Sequence, residues 1–232
     1  MVAIQHVNSE TGVSQPIADY APVVRDAGGI LLVDCAQSAG KFALPDADML
    51  VVSAHKFGGP PGIGALLLRD FGLLEASGGQ EFGYRGGTEN LPAALGFAAA
   101  LEAQPFSNGE ADWLAGLECS ILALEDAIRG AGGERVGSGA RKPAILAIAM
   151  PRMKAAAQLV RFDAMGFAVS AGSACSSGTL KPSRVLQAFG VDPDVAARTI
   201  RVSFGWNTTA AEIDAFLHAW LAIAADAKAR AA

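Results

Sequence analysis

The sequence predicts an α/β chain built on a largely parallel sheet, followed by a second, smaller domain. Three observations point to this. Short continuous apolar runs such as Ile30 to Val33 and Met49 to Val52 stop abruptly at a polar residue, as buried parallel strands do. Segments with apolar residues at helical spacing alternate with strand-like runs. The composition then shifts at Gln104-Pro105-Phe106-Ser107-Asn108-Gly109, a polar stretch with the character of a domain boundary. This places a large domain over residues 1–105 and a smaller one over 106–232.

Each element has a local reason. Met1 to Val7 reads as a strand that opens without a preceding turn or helix, and Asn8-Ser9-Glu10-Thr11-Gly12 is a polar turn. Pro16 to Ala27 is helical, with Ile17, Tyr20, Val23 and Val24 on one face, Pro16 suited to its first turn and Gly28-Gly29 ending it. Strands follow at Ile30 to Val33, closed by Asp34, at Met49 to Ser53, and at Ala65 to Leu68. Ser77 to Asn90 is too polar and too rich in Gly for a core, and a loop of that length is uncommon unless it is functional. Leu91 to Ala103 and Ala111 to Ile128 read as helices. In the smaller domain, Ala144 to Ala149 and Thr199 to Phe204 read as strands. Ala155 to Met165 reads as a helix, as does Ala210 to Arg230, which opens with Thr209 and Glu212 in capping-box spacing.

Composition narrows the function classes. The chain has 232 residues, 51% of them hydrophobic, with 27 glycines, enough to bury a sizeable core. No stretch approaches the eighteen or so strongly apolar residues of a membrane span. The N-terminus lacks the basic-then-apolar order of a secretion signal. A net charge of -5 with no Lys/Arg cluster argues against a nucleic-acid binder. Three cysteines, at positions 35, 119 and 175 and without a C-x-x-C pair, fit reduced cytoplasmic thiols rather than a disulfide framework or a zinc site.

The chemistry concentrates at Ser53-Ala54-His55-Lys56, where an apolar strand ends and a Gly/Pro-rich turn begins. Ligands of open α/β sheets sit beyond the carboxyl ends of the strands. A lysine held there, partly desolvated, becomes a nucleophile toward an aldehyde, hence a candidate Schiff-base lysine. Asp34 ends a neighbouring run, where a carboxylate can keep a pyridinium nitrogen protonated, and Gln37 follows within reach of a ring hydroxyl. Ser53 and His55 can hydrogen-bond a phosphate. A Walker loop is excluded at Gly58 to Gly64 because Lys56 precedes the glycines. Cys175 lies among small and polar residues, Ser170 to Ser183, where a thiolate can attack, whereas Cys35 and Cys119 sit in apolar contexts and read as packing thiols. Taken singly, Lys56 reads first as a surface lysine past a strand end, and Asp34 equally as a helix cap or turn residue. By the same standard His55 could be a core histidine and Cys175 incidental in a Ser/Gly loop.

Together these residues resemble a family. HVNSETGVSQPI (6–17), VDCAQSAGK (33–41), SAHKFGGPPGIGAL (53–66), GGQEFGYRGGTEN (78–90), SAGSACSSGTLKPSRVL (170–186) and TIRVSFG (199–205) resemble, in order, the motifs of the class-V, fold-type-I pyridoxal-phosphate enzymes, and within them the NifS/IscS-like cysteine desulfurases. The resemblance implies the pyridoxal-phosphate transferase fold, a mostly parallel sheet with helices on both faces plus a smaller α/β C-terminal domain. It implies Lys56 as the Schiff-base lysine that later moves the proton on the substrate α-carbon. Asp34 would sit on the pyridine nitrogen, Gln37 on the phenolic oxygen, and Ser53 and His55 on the phosphate. Thr88 would reach the phosphate of the other subunit of a homodimer, and Asn8 and Arg201 would hold the carboxylate of L-cysteine. Cys175 would receive the sulfur as a persulfide, leaving alanine, for delivery to an iron-sulfur scaffold or other acceptor protein. The family's N-terminal part, with its phosphate-binding Gly/Thr loop and ring-stacking His, has no counterpart here. A selenocysteine lyase, an aminotransferase of the same cofactor and a non-catalytic remnant are the alternatives.

Overall fold

Four strands organise the first part of the chain: β1 (Val2–Gln5), β2 (Leu31–Asp34), β3 (Met49–Ser53) and β4 (Gly64–Leu68). A computed structural model describes residues 1–103, 106–107, 109–172 and 183–230. The strands lie in the order β1-β2-β3-β4, the first three parallel and β4 antiparallel to β3. The register sets Ala3 beside Leu32 and Gln5 beside Asp34, so alternate residues share a face. On the opposite face Val33 and Val52 pack with Leu31, Cys35, Ile17 and Ala21, the last two from α1 (Ile17–Asp26). Ala100 and Phe97 of α2 (Leu91–Glu102) join the same cluster. Pro16 sits at the N-cap of α1, and Asn90 caps α2 by accepting from Ala93 N at 3.1 Å. Two short strands, β5 (Phe106–Ser107) and β6 (Glu110–Ala111), pair antiparallel.

The described residues divide into two compact units, one of Met1–Val7 with Gln15–Asp112, the other of Asn8–Ser14 with Trp113–Ala232. The second unit is built on an antiparallel sheet, β7 (Glu134–Arg135), β8 (Ile145–Ala149) and β9 (Thr199–Ser203), with β8 in the middle. Every residue of β8 is buried, which is why Ile145-Leu146-Ala147-Ile148-Ala149 is apolar without alternation. The helix expected over Ala111 to Ile128 is broken: Ala111 belongs to β6, α3 spans Asp112–Ala115, and α4 (Glu118–Gly130) starts anew after Gly116, a poor helix former. The unit continues with α5 (Ala155–Ala164), α6 (Arg184–Ala188), α7 (Pro193–Ala197) and α8 (Ala210–Ala229). Ile213, Phe216, Trp220, Ile223 and Ala227 recur at helical spacing and are buried, and α8 packs on α4 and α5. Phe162 and Phe216 stack at 5.0 Å, and burial of side chains this large contributes roughly 1.5–3 kcal/mol each. Thr209 and Glu212 form the reciprocal capping box. Among the described residues no helix is long and apolar enough to cross a membrane.

Candidate functional site

In the first unit, the neighbouring parallel strands β2 and β3 end side by side, with Asp34 in register with Val51. Beyond Ser53 the chain makes a single tight turn, Ala54–Lys56. Ala54 and Phe57 are buried on either side of it, so the residues between them, His55 and Lys56, face outward. The anchor is tight: Gly40 has φ +71, and an added Cβ there would lie 2.7 Å from the Cβ of Phe57. Lys56 is therefore exposed in this chain, not partly desolvated as the sequence suggested.

Asp34 is also exposed, and its Oδ1 accepts from Ala36 N at 2.8 Å, leaving Oδ2 without a partner among the described residues. It borders an open depression of about 440 Å³ lined by Ala3, Ile4, Gln5, Gln15, Leu32 and Asp34. Gln37 is half-buried, and its carbonyl accepts from Lys41 Nζ at 3.3 Å. Lys41 is buried, and burial, helped by the nearby charge of Lys56, lowers its pKa to about 8. Ser53 Oγ and His55 Nδ1 are 3.0 Å apart, bonded to each other at the strand end where a phosphate was expected. Thr88 is exposed in the Ser77–Asn90 loop, which is shaped by the Gln80–Arg85 bridge and by Arg85 Nη1 donating to Gly87 O at 2.9 Å. In that loop Glu81 and Phe82 adopt positive φ of 50° and 56°, a strained conformation found more often at functional segments than in connectors.

The second unit brings Asn8 and Arg201 together. Asn8 is buried, and its Oδ1 accepts from Glu10 N and Thr11 N, both at 2.9 Å, and from Thr11 Oγ1 at 3.1 Å, so one amide oxygen folds the whole turn. Gly12 closes it at φ +73, where an added Cβ would lie 2.3 Å from Ile145 O. Arg201 Nη1 donates to Ser9 O at 3.0 Å and Nη2 to Ser170 Oγ at 3.3 Å, while Nε is buried with no hydrogen-bond partner among the described residues. An orphaned buried guanidinium nitrogen invites an anion. Asn8 holds its turn with its oxygen, so only its amide nitrogen is left for a carboxylate.

Lys41 and Glu10 are functional candidates that sequence reasoning passed over. The signal for each was a charged residue embedded in a motif already singled out, Gly40-Lys41-Phe42 and Asn8-Ser9-Glu10-Thr11. Cys175 lies outside the described residues. Cys35 is fully buried, and burial pushes its thiol up to about 11, as a packing thiol requires. Cys119 is exposed, which corrects its assignment as a packing thiol. On α4 the buried face is Ile121, Leu124, Glu125 and Ile128, and a residue two positions before Ile121 points away from it.

The cysteine desulfurase IscS of Anaeromyxobacter sp. (strain Fw109-5) is 38% identical over 231 residues, covering 92% of this chain and 55% of that protein. The chain thus spans about half the length of the curated relative it matches. Among solved structures, a NifS-like protein superposes with a TM-score of 0.79 at 28% identity over 96% of this chain and 60% of the other. SspA in complex with cysteine superposes with a TM-score of 0.69 at 31% identity over 89% of this chain and 59% of the other. The aminotransferase class-V family matches residues 1–216, and the chain belongs to that family.

Proposed function

We propose that the protein to which this chain belongs is a pyridoxal-phosphate-dependent cysteine desulfurase. It converts L-cysteine to L-alanine and takes the sulfur on Cys175 as a persulfide. One observation carries the reading: a lysine and a carboxylate are set just beyond the carboxyl ends of two neighbouring parallel strands, Lys56 after β3 and Asp34 on β2.

The residues present fit the cofactor. Asp34 keeps one carboxylate oxygen without a partner among the described residues, beside the depression it borders, Lys56 presents an exposed amine, and the bonded Ser53–His55 pair has a polar hydrogen to spare at the same strand end. Gln37 stands three residues beyond Asp34 for the phenolic oxygen. When bound, the cofactor supplies an electron sink for carbanion chemistry at the substrate α-carbon. Asp34 holds a proton on the ring nitrogen. Lys56 Nζ would make the covalent attachment and would carry the proton of the α-carbon. Arg201, helped by the amide nitrogen of Asn8, holds the substrate carboxylate. The Cys175 thiolate attacks the substrate sulfur: an S–S bond forms, the C–S bond breaks, and its electron pair stays with the carbon that becomes the alanine methyl group.

The same reading makes the protein a cytoplasmic homodimer in which the exposed Thr88 reaches the partner's phosphate. The persulfide passes to an acceptor, an iron-sulfur scaffold or a similar protein.

The test is reduction with borohydride in the presence of pyridoxal phosphate, followed by mass spectrometry, and then an assay of alanine and persulfide from cysteine. A pyridoxyl group on Lys56, with persulfide lost and absorbance kept in Cys175→Ala, is expected. Alanine and sulfide production that survives Cys175→Ala would overturn the sulfur-acceptor role, and transamination without Cys175 would favour an aminotransferase.

A further inference from the structure

The turn that holds Asn8 is connected to both described flanks of the Cys175 segment. On one flank, Ser170 and Arg201 exchange backbone hydrogen bonds, Ser170 N to Arg201 O at 3.1 Å and Arg201 N to Ser170 O at 2.6 Å. The Arg201 guanidinium then reaches Ser9 O in the turn. On the other flank, Ser183 Oγ donates to Glu10 Oε2 at 2.5 Å. Ser183 also caps α6, accepting from Leu186 N at 3.0 Å. Glu10 and Ser183 are 9% and 7% exposed, so this bond is sheltered from water and a carboxylate left there alone would be costly. Glu10 is thus the connection on the C-terminal side as Arg201 is on the N-terminal side, and the two meet in a turn folded by Asn8 Oδ1.

Resting on the desulfurase reading, we propose that Glu10 is a positioning residue for sulfur transfer: through Ser183 it fixes the C-terminal flank of the cysteine-bearing segment to the same turn that Arg201 grips from the N-terminal flank. Glu10 touches neither substrate nor cofactor. Its effect falls on the placement of the thiol and leaves the affinity for cysteine, which belongs to Arg201, unchanged.

The test compares Glu10→Ala, Glu10→Gln and Ser183→Ala in the whole protein loaded with its cofactor. An unlabelled Cys35 and an unchanged near-ultraviolet circular dichroism spectrum show that the fold is kept. Glu10→Ala is expected to lower kcat for persulfide formation about tenfold with KM unchanged, the scale of one lost hydrogen bond to a charged group. The rate of iodoacetamide alkylation at Cys175, read without substrate, shifts severalfold. Glu10→Gln, which keeps an acceptor oxygen, restores both. Ser183→Ala removes the same bond from its other end, so Glu10→Ala adds nothing on top of it. The inference is overturned by kcat and alkylation rates within about twofold of wild type in both alanine variants. Strictly additive effects of the two alanine changes, or a loss that Glu10→Gln does not restore, overturn it as well. A wild-type protein that makes no alanine from cysteine defeats the desulfurase reading instead, and the alkylation rates still decide the role of Glu10.

Discussion

The candidate residues of the two units are held in opposite ways. In the first, Asp34, His55, Lys56 and Thr88 are exposed, and the bonds given to them run to close sequence neighbours, Asp34 to Ala36 and His55 to Ser53. In the second, Asn8 and Thr11 are buried, and Arg201 and Glu10 bond to residues more than 170 positions away, Ser9 and Ser183. On the proposed function, the difference follows from what each has to hold. An anion-binding guanidinium needs its orientation fixed beforehand, and a network of buried hydrogen bonds does that at little entropic cost on binding. Groups that receive a large ring system are displayed on a strand-end turn pinned by Ala54 and Phe57, and gain their remaining partners from the ligand.

The comparison can be broken most forcefully at Lys56. Lys56→Ala should abolish pyridoxyl labelling at that position, with stability changed by less than about 0.5 kcal/mol because the side chain is exposed. A large drop in the urea midpoint would show that the displayed half is structural after all. The buried half should respond in the reverse sense. Asn8→Ala removes an acceptor of three hydrogen bonds and should destabilise the protein by about 3 kcal/mol, read from urea unfolding, while labelling of Lys56 persists.

Lys41 is the exception that sharpens the contrast, a buried cation in the displayed half. Its folded pKa of about 8 lies below the unfolded value of 10.5, so between those values the unfolded chain binds the proton that the folded chain has lost. Stability should therefore rise with pH from about 8 to about 10.5 as this cost is relieved. Lys41→Met should stabilise the protein at pH 7 by about 2 kcal/mol and flatten that rise, measured by denaturation at a series of pH values. The smallest effect separates two cysteines. Native-state iodoacetamide should label Cys119 readily and leave Cys35, whose thiol is buried and pushed up to about 11, unlabelled until the protein unfolds. Labelling of Cys35 at the rate of Cys119 would refute the packing of Ala39, Val33 and Phe57 around it.

The sequence by itself determined the parts whose causes are local. Apolar runs of strand length, helical spacing, the Thr209–Glu212 cap and the delivery of Lys56 and Asp34 to strand ends all follow from neighbours a few residues apart, and the chain carries them where expected. Only the tertiary structure decided the rest. The expected helix loses its first residue because Ala111 pairs with Phe106 in the β5–β6 ladder. Cys119 faces outward because the register of α4 is set by Ile121, Leu124 and Ile128. Asn8–Ser14 joins the second unit although it lies between residues of the first. The Glu10–Ser183 and Arg201–Ser9 bonds span most of the chain. A hydrogen bond between residues so far apart leaves no periodicity or spacing to read, since it forms only where folding of the intervening chain has already brought its partners together.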